Sequence, residues 1–294
     1  MRKHRWLMAL GAMTAIAALA FAAAACGDDD DDDDGDDAGG ADLVAANVNC
    51  KDLGLTAPKR IKDAGKLVVG SDLSYAPIDF TKEGTSTPIG LDADIANCIA
   101  QAWGVKADIQ NTSFDAIIPS LTGKKIDLIM SAMSVTEERQ KEINFVPYFT
   151  AGSGILVKKG NPDKIASIAD LCGKTVSIQV GTVQIDEAEE QNAKCKEKIK
   201  VSKFEQNTDA IQEVASGRAA ASLMDYPVAA YNAKKVKGTE VVGEQYNTGP
   251  YGIGVRKDDA EVKDALDKAL KAMMEKGQYA AILKYWDLEA GALK

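Results

Sequence analysis

The sequence predicts an α/β fold divided into two lobes, and three observations predict it. Short β-branched runs alternate with helix-length amphipathic stretches, the pattern of largely parallel sheets flanked by helices. About 250 residues follow Asp42, more than one core of the commonest domain size needs and ample for two. Two glycine-rich segments, Ala151-Gly152-Ser153-Gly154 and Gly249-Pro250-Tyr251-Gly252, bracket a middle block, as expected of a chain that crosses twice between lobes on strands that can hinge.

Leu67-Val68-Val69 reads as the first strand. Helices are expected from Asp92 to Gly104 and from Asp115 to Gly123, and a strand at Ile126-Asp127-Leu128-Ile129. The middle block reads as a complete smaller sheet: a strand at Thr175-Val176-Ser177-Ile178, a segment running to Phe204, a helix from Asp209 to Ser216, a strand from Ala221 to Met224 and a helix from Pro227 to Lys235. Tyr251 to Arg256 returns as a strand. The stretch from Asp259 to Lys276 then sets Val262, Leu266, Leu270 and Met273 on one face of a long helix. The expected division is residues 42–153 as the first part of lobe 1, 154–249 as an inserted lobe 2, and 250–294 as the return to lobe 1.

The N-terminus carries Arg2, Lys3 and Arg5, then an apolar run from Trp6 to Ala25 that ends in small alanines. That order is a secretory signal peptide over residues 1–25. A spanning helix would be long enough, but the alanine richness and the abrupt change at Cys26 weigh against it. Residues 26–41 include nine aspartates between Asp28 and Asp37, which repel one another into an extended tether. A metal-binding tail would need ordered ligands of other types.

Without leader and tether the formal charge of −9 for the whole chain falls close to neutrality. No basic stripe exists, so no nucleic-acid partner is expected. The one histidine is His4, inside the leader, which excludes histidine-based triads, zinc sites and general bases from the exported chain. No metal or cofactor is expected. Four cysteines remain beyond Cys26, an even number that favours structural disulfides in an exported protein. Three pairings are possible. Cys172 and Cys195 flank one strand-helix unit, which favours Cys172–Cys195 with Cys50–Cys98.

Six segments carry a family resemblance: KLVVGSDLSYAPIDF from Lys66, PIGLDADIA from Pro88, FDAIIPSLTGKKIDLIMSAMSVTEERQKEINFVPYF from Phe114, VSIQVGT from Val176, GRAAASLMDYPVAAY from Gly217 and GPYGIGVRKDD from Gly249. Each is modest alone, but in this order the chain resembles the family 3 bacterial extracellular solute-binding proteins, amino-acid receptors of ABC importers. The resemblance implies a periplasmic-binding-protein-like fold of type II, two lobes that close on an amino acid, and delivery to the transmembrane subunits of an importer. It also implies acylation of Cys26, since Ala23-Ala24-Ala25-Cys26 resembles a lipoprotein box, although Ala23 stands where leucine is usual. The expected product is a lipid-anchored, extracytoplasmic monomer.

A zwitterion needs a fixed cation, a fixed anion and a shaped pocket. For the carboxylate the candidate is Arg139, just after an expected strand end, where α/β sheets place ligands; its planar fork suits a carboxylate. A surface arginine beside Glu137 and Glu138 is the competing reading. The resemblance adds Ser131, Ala132 and Ser134, whose hydroxyls could equally cap a helix, and the backbone of Gly181-Thr182-Val183. For the ammonium the candidate is Asp225, whose competing role is the N-cap of the helix near Pro227. Tyr75 and Phe114 stand where the family places aromatics over the ligand, with plain core packing as the competing reading of each. Asp72 could contact a polar or cationic side chain or cap a turn. Gln179 is implied to line the pocket, and its neutral amide suits a polar ligand. Two rivals use the same fold: a dehydratase acting on cyclic acids, which needs a placed acid or base, and a sensory module, which differs only in its partner.

Overall fold

The computed structural model describes residues 48–293. The leader, Cys26 and the acidic tract lie outside these residues. The elements are α1 (Lys59–Ala64), β1 (Lys66–Ser71), β2 (Ser74–Tyr75), β3 (Asp79–Thr81), β4 (Pro88–Ile89), α2 (Leu91–Trp103), β5 (Lys106–Asn111), α3 (Ile117–Thr122), β6 (Leu128–Ile129), α4 (Glu137–Glu142) and β7 (Ile143–Lys158). They continue with β8 (Thr175–Gln179), α5 (Val183–Lys194), β9 (Lys200–Phe204), α6 (Asn207–Ser216), β10 (Ala221–Asp225), α7 (Tyr226–Lys235), β11 (Thr239–Arg256), α8 (Ala260–Lys276) and α9 (Gln278–Tyr285).

The expected helices form, with one local difference. The turn at Phe114–Ala116 is 3-10, and the α-helix starts only at Ile117. Helix α8 buries Val262, Leu266, Leu270 and Met273 and stops at Gly277, whose φ of 89° any Cβ would strain. A fully buried leucine such as Leu266 contributes about 1.5–3 kcal/mol through removal of apolar surface from water. All five residues of β10 are buried, as suits a strand covered on both faces.

The sheet differs from the two separate sheets that local patterns suggest. Eight strands run in one hydrogen-bonded order, β5-β1-β6-β11-β7-β10-β8-β9, beside a small sheet of β2, β3 and β4. Within each half the neighbours β1, β5 and β6, or β8, β9 and β10, are parallel. β7 and β11 are long, pair antiparallel with each other and serve both halves. The two glycine-rich segments are the middles of these strands, where Gly249 stands opposite Ala151 and the register shifts on both sides of Tyr246. Local periodicity missed their length because each changes environment halfway along.

Hydrophobic clusters pack against the sheet. One joins α2, α8 and α9 to β1, β7 and β11, and a separate one holds Ile155, Leu171, Val176, Ile178 and Leu223 in the second half. Disulfides join Cys50 to Cys98 and Cys172 to Cys195. Each closes a loop of tens of residues, worth typically 2–4 kcal/mol by restricting the unfolded chain. No helix among the described residues is long and apolar enough to cross a membrane.

Candidate functional site

Five strands, in two parallel sets, end on the same cavity. Asp72 follows β1, Phe114 lies just beyond β5, and Ser131, Ala132 and Ser134 follow β6. From the other half come Gln179 at the end of β8, Thr182 and Val183 at the start of α5, and Asp225 at the end of β10. Tyr75 from β2 and Arg139 from α4 complete the set, so all eleven sequence candidates line one cavity. The carboxyl ends converge because the two parallel sets, separated by the antiparallel β11 and β7, run in opposite senses toward the cleft, and each set places its βα connections there. The walls stand close together around about 300 Å³ of space that is partly open to solvent.

Arg139 is half-buried, and its guanidinium donates to the carbonyls of Ser134 (2.8 Å) and Gly181 (2.9 Å), one from each half of the molecule. It lies over the Phe114 ring, 5.3 Å from the centroid. Burial lowers its pKa, and Asp225 and Asp186 oppose that. Among the described residues no carboxylate forms an ion pair with it. The amides of the first turn of α5 lack intrahelical partners, adding partial positive charge on the facing wall. Gly181 is required there: its φ is +75° and a Cβ would sit 3.1 Å from the Asp115 backbone.

Asp225 is buried, and burial raises its pKa against the hydrogen bonds it accepts. Although it precedes α7, its side chain does not cap that helix. Its Oδ2 accepts from Tyr251 Oη (2.7 Å) and its Oδ1 from Gln184 Nε2 (2.8 Å), while its own N–H donates to Tyr75 Oη (2.8 Å). Of about four lone-pair positions these bonds fill two, the Tyr75 hydroxyl bears on a third, and capacity for a further donor remains. No cation among the described residues pairs with it.

The serines and Thr182 do not act as side-chain caps. Ser131 Oγ accepts from the Asp72 N–H (2.8 Å), and Thr182 Oγ1 donates to the Gln179 carbonyl (2.8 Å). Ala132 holds a left-handed φ of 46°, costly for a residue with a Cβ, and its N–H donates to buried Asp92 (2.9 Å). Asp72 accepts from the Ser74 backbone and hydroxyl, from the Phe114 N–H and from Gln179 Nε2. Burial raises its pKa.

Sequence reading passed over Gln184 and Tyr251. Gln184 also lines the cavity and donates to Ser153 Oγ (3.0 Å), which in turn donates to Glu187 (2.9 Å). It follows Gly181-Thr182-Val183 directly, but in sequence it is indistinguishable from a solvated glutamine in a helix's first turn. Tyr251 lay inside a segment read as a hinge crossing and the start of a strand, and nothing local marked its hydroxyl as a partner of Asp225.

A cleft between two α/β halves that share two long strands, with strand ends on both walls, defines a two-lobed binding protein of type II with a two-strand hinge. The model of the bacterial extracellular solute-binding proteins, family 3, matches residues 67–289, and the chain belongs to that family. It is similar to the arginine-binding extracellular protein ArtP of Bacillus subtilis (strain 168), 31% identical over 225 residues that cover 75% of this chain and 86% of that protein. An ancestral arginine-binding protein solved bound to glutamine is 39% identical, with a TM-score of 0.72 over 76% of this chain and 98% of that one. An ancestral amino-acid-binding protein, described as a precursor of cyclohexadienyl dehydratase, is 40% identical, with a TM-score of 0.71 over 77% and 97%.

Proposed function

We propose that this chain is the extracytoplasmic receptor of an ABC importer, and that it captures a polar α-amino acid by closure of its lobes. One observation carries the reading: a guanidinium and a carboxylate, both drawn out of water, line one cavity without counter-ions of their own among the described residues. Buried charges are costly unless paired, so the arrangement is complementary to a molecule bearing both opposite charges. The ligand carboxylate takes Arg139, helped by Ser134 and the N–H groups at Thr182 and Val183. Its ammonium takes Asp225, with Ser131 and the Ala132 backbone beside it, and Tyr75 and Phe114 cover the rest.

Entry requires the walls to part. Bending at β7 and β11 does this, and the ligand favours the closed form because only there does it touch both lobes. The lobes divide at residues 42–153, 154–249 and 250–294. Cys26 carries the lipid, residues 26–41 are the tether, and the protein acts as a monomer that docks on the importer's transmembrane subunits.

A thermal-shift screen across the twenty amino acids tests this. Ligand at 100-fold its dissociation constant should add about 2.7 kcal/mol of stability. Silence across the panel would sink the reading. A dehydratase on this fold is the second reading, supported by the likeness to a dehydratase precursor. It predicts product from a cyclic acid without added cofactor, and a receptor predicts none.

A further inference from the structure

The hydrogen-bond capacity at the far end of the cavity carries a statement about ligand class, resting on the amino-acid reading above. Asp72 Oδ1 accepts from the Ser74 N–H (3.1 Å) and Ser74 Oγ (2.6 Å). Its Oδ2 accepts from the Phe114 N–H (3.1 Å) and Gln179 Nε2 (2.8 Å). A carboxylate offers about four acceptor positions, so this one is full.

The second hydrogen on Gln179 Nε2 goes to the Glu205 carbonyl (2.9 Å). Both partners can only accept, which fixes the amide's orientation: the nitrogen must face Asp72 and Glu205. What the Gln179 side chain has left is its amide oxygen Oε1, which no described residue engages, in a side chain that lines the cavity.

We propose that Gln179, by saturating Asp72 from the opposite lobe, makes this a receptor for α-amino acids whose side chain is neutral and donates a hydrogen bond, an amide or a hydroxyl, rather than for cationic ones. Charge counting points the other way. Arg139, Asp225 and Asp72 leave the cavity one negative charge in excess, which a cationic side chain would balance. Geometry outweighs it, because a cation reaching Asp72 must displace Gln179 and leave a buried amide unpaired. That also breaks a bond between the lobes. The Ser74 hydroxyl that donates to Asp72 accepts from the Asn207 N–H at the start of α6 (3.1 Å), so the same carboxylate anchors a second cross-cleft link. A buried unpaired amide weakens binding by roughly 5- to 100-fold.

Isothermal titration of the purified protein with L-glutamine, L-asparagine, L-serine and L-threonine, against L-arginine and L-lysine, is the test. At least one neutral donor should bind about tenfold or more tightly than either cation. Arginine or lysine binding equally well or better overturns the assignment while leaving the amino-acid receptor standing. No binding by any of the six, nor by the rest of the twenty, overturns both. In Gln179→Leu, with folding checked by its melting temperature, the ratio of neutral to cationic affinity should fall about tenfold or more. An unchanged ratio removes Gln179 from the role.

Discussion

Two places in this molecule bury carboxylates, and they treat the charge in opposite ways. Inside the first lobe Asp79 and Asp92 are almost fully buried side by side. Asp92 accepts from Tyr148 Oη (2.6 Å) and the Ala132 N–H (2.9 Å), Asp79 accepts from Ser71 Oγ (2.6 Å), and burial of the two together favours their protonated forms. Burial, then the neighbouring Asp92, pushes Asp79 well above the usual carboxylate range, and burial raises Asp92 to about 6. In the cleft, Asp225 keeps acceptor positions open opposite an unpaired Arg139. Burial of an acid therefore does not mark a ligand site; an unmet complement does.

The largest expected effect tests the cleft half of that contrast. Arg139→Ala should weaken amino-acid binding by about 2–5 kcal/mol in calorimetry, because the ligand carboxylate would be desolvated and unpaired. Parental affinity would break the comparison outright.

The acid pair should show itself in stability against pH. Its folded pKa values are raised above the unfolded value near 4, so its contribution is fully present below about pH 4 and is lost as pH rises through about 6 and beyond. For Asp92 the loss is on the order of 3 kcal/mol. The half-exposed Asp108 beside Lys66 has the opposite sign but is screened by water. Denaturant melts from pH 4 to 7 should fall, and Asp92→Asn should make that slope shallower; an unaltered slope means the proton is held elsewhere.

Asp225→Asn should weaken the ammonium contact by about 1.5–3 kcal/mol, the range for hydrogen bonds to charged groups. If affinity survives but the melting temperature drops sharply, Asp225 belongs with the structural pair instead. The smallest effect is Thr182→Ala. Loss of one hydroxyl bond to the Gln179 carbonyl should cost about 1 kcal/mol of affinity by loosening the α5 wall, read by titration.

Much of the site was legible because strand ends and a family resemblance pointed to the same places. Expected strands at Ile126 to Ile129 and Ala221 to Met224 set Arg139 and Asp225 near an edge where ligands bind, and the resemblance singled out Ser131, Ala132 and Ser134. Gln184 escaped since nothing local separates a pocket-facing glutamine in a helix's first turn from a solvated one. The Asp79–Asp92 pair escaped for a similar reason: Asp92 and Asp94 look like ordinary acidic residues at a helix start, yet both are buried.

By itself the sequence determined which segments are strands and helices, that lobes are joined by two crossings, and which charges lie close to strand ends, because those follow from periodicity and turn chemistry along the chain. Only the tertiary structure decided that one eight-stranded order runs through both halves, that Asp225 turns to Tyr251 and Gln184 rather than capping α7, and that Gln179 meets Asp72 across the cleft. The Gln179–Asp72 bond alone joins residues 107 positions apart, and a hydrogen bond is satisfied by whatever donor the fold brings near, about which local pattern is silent.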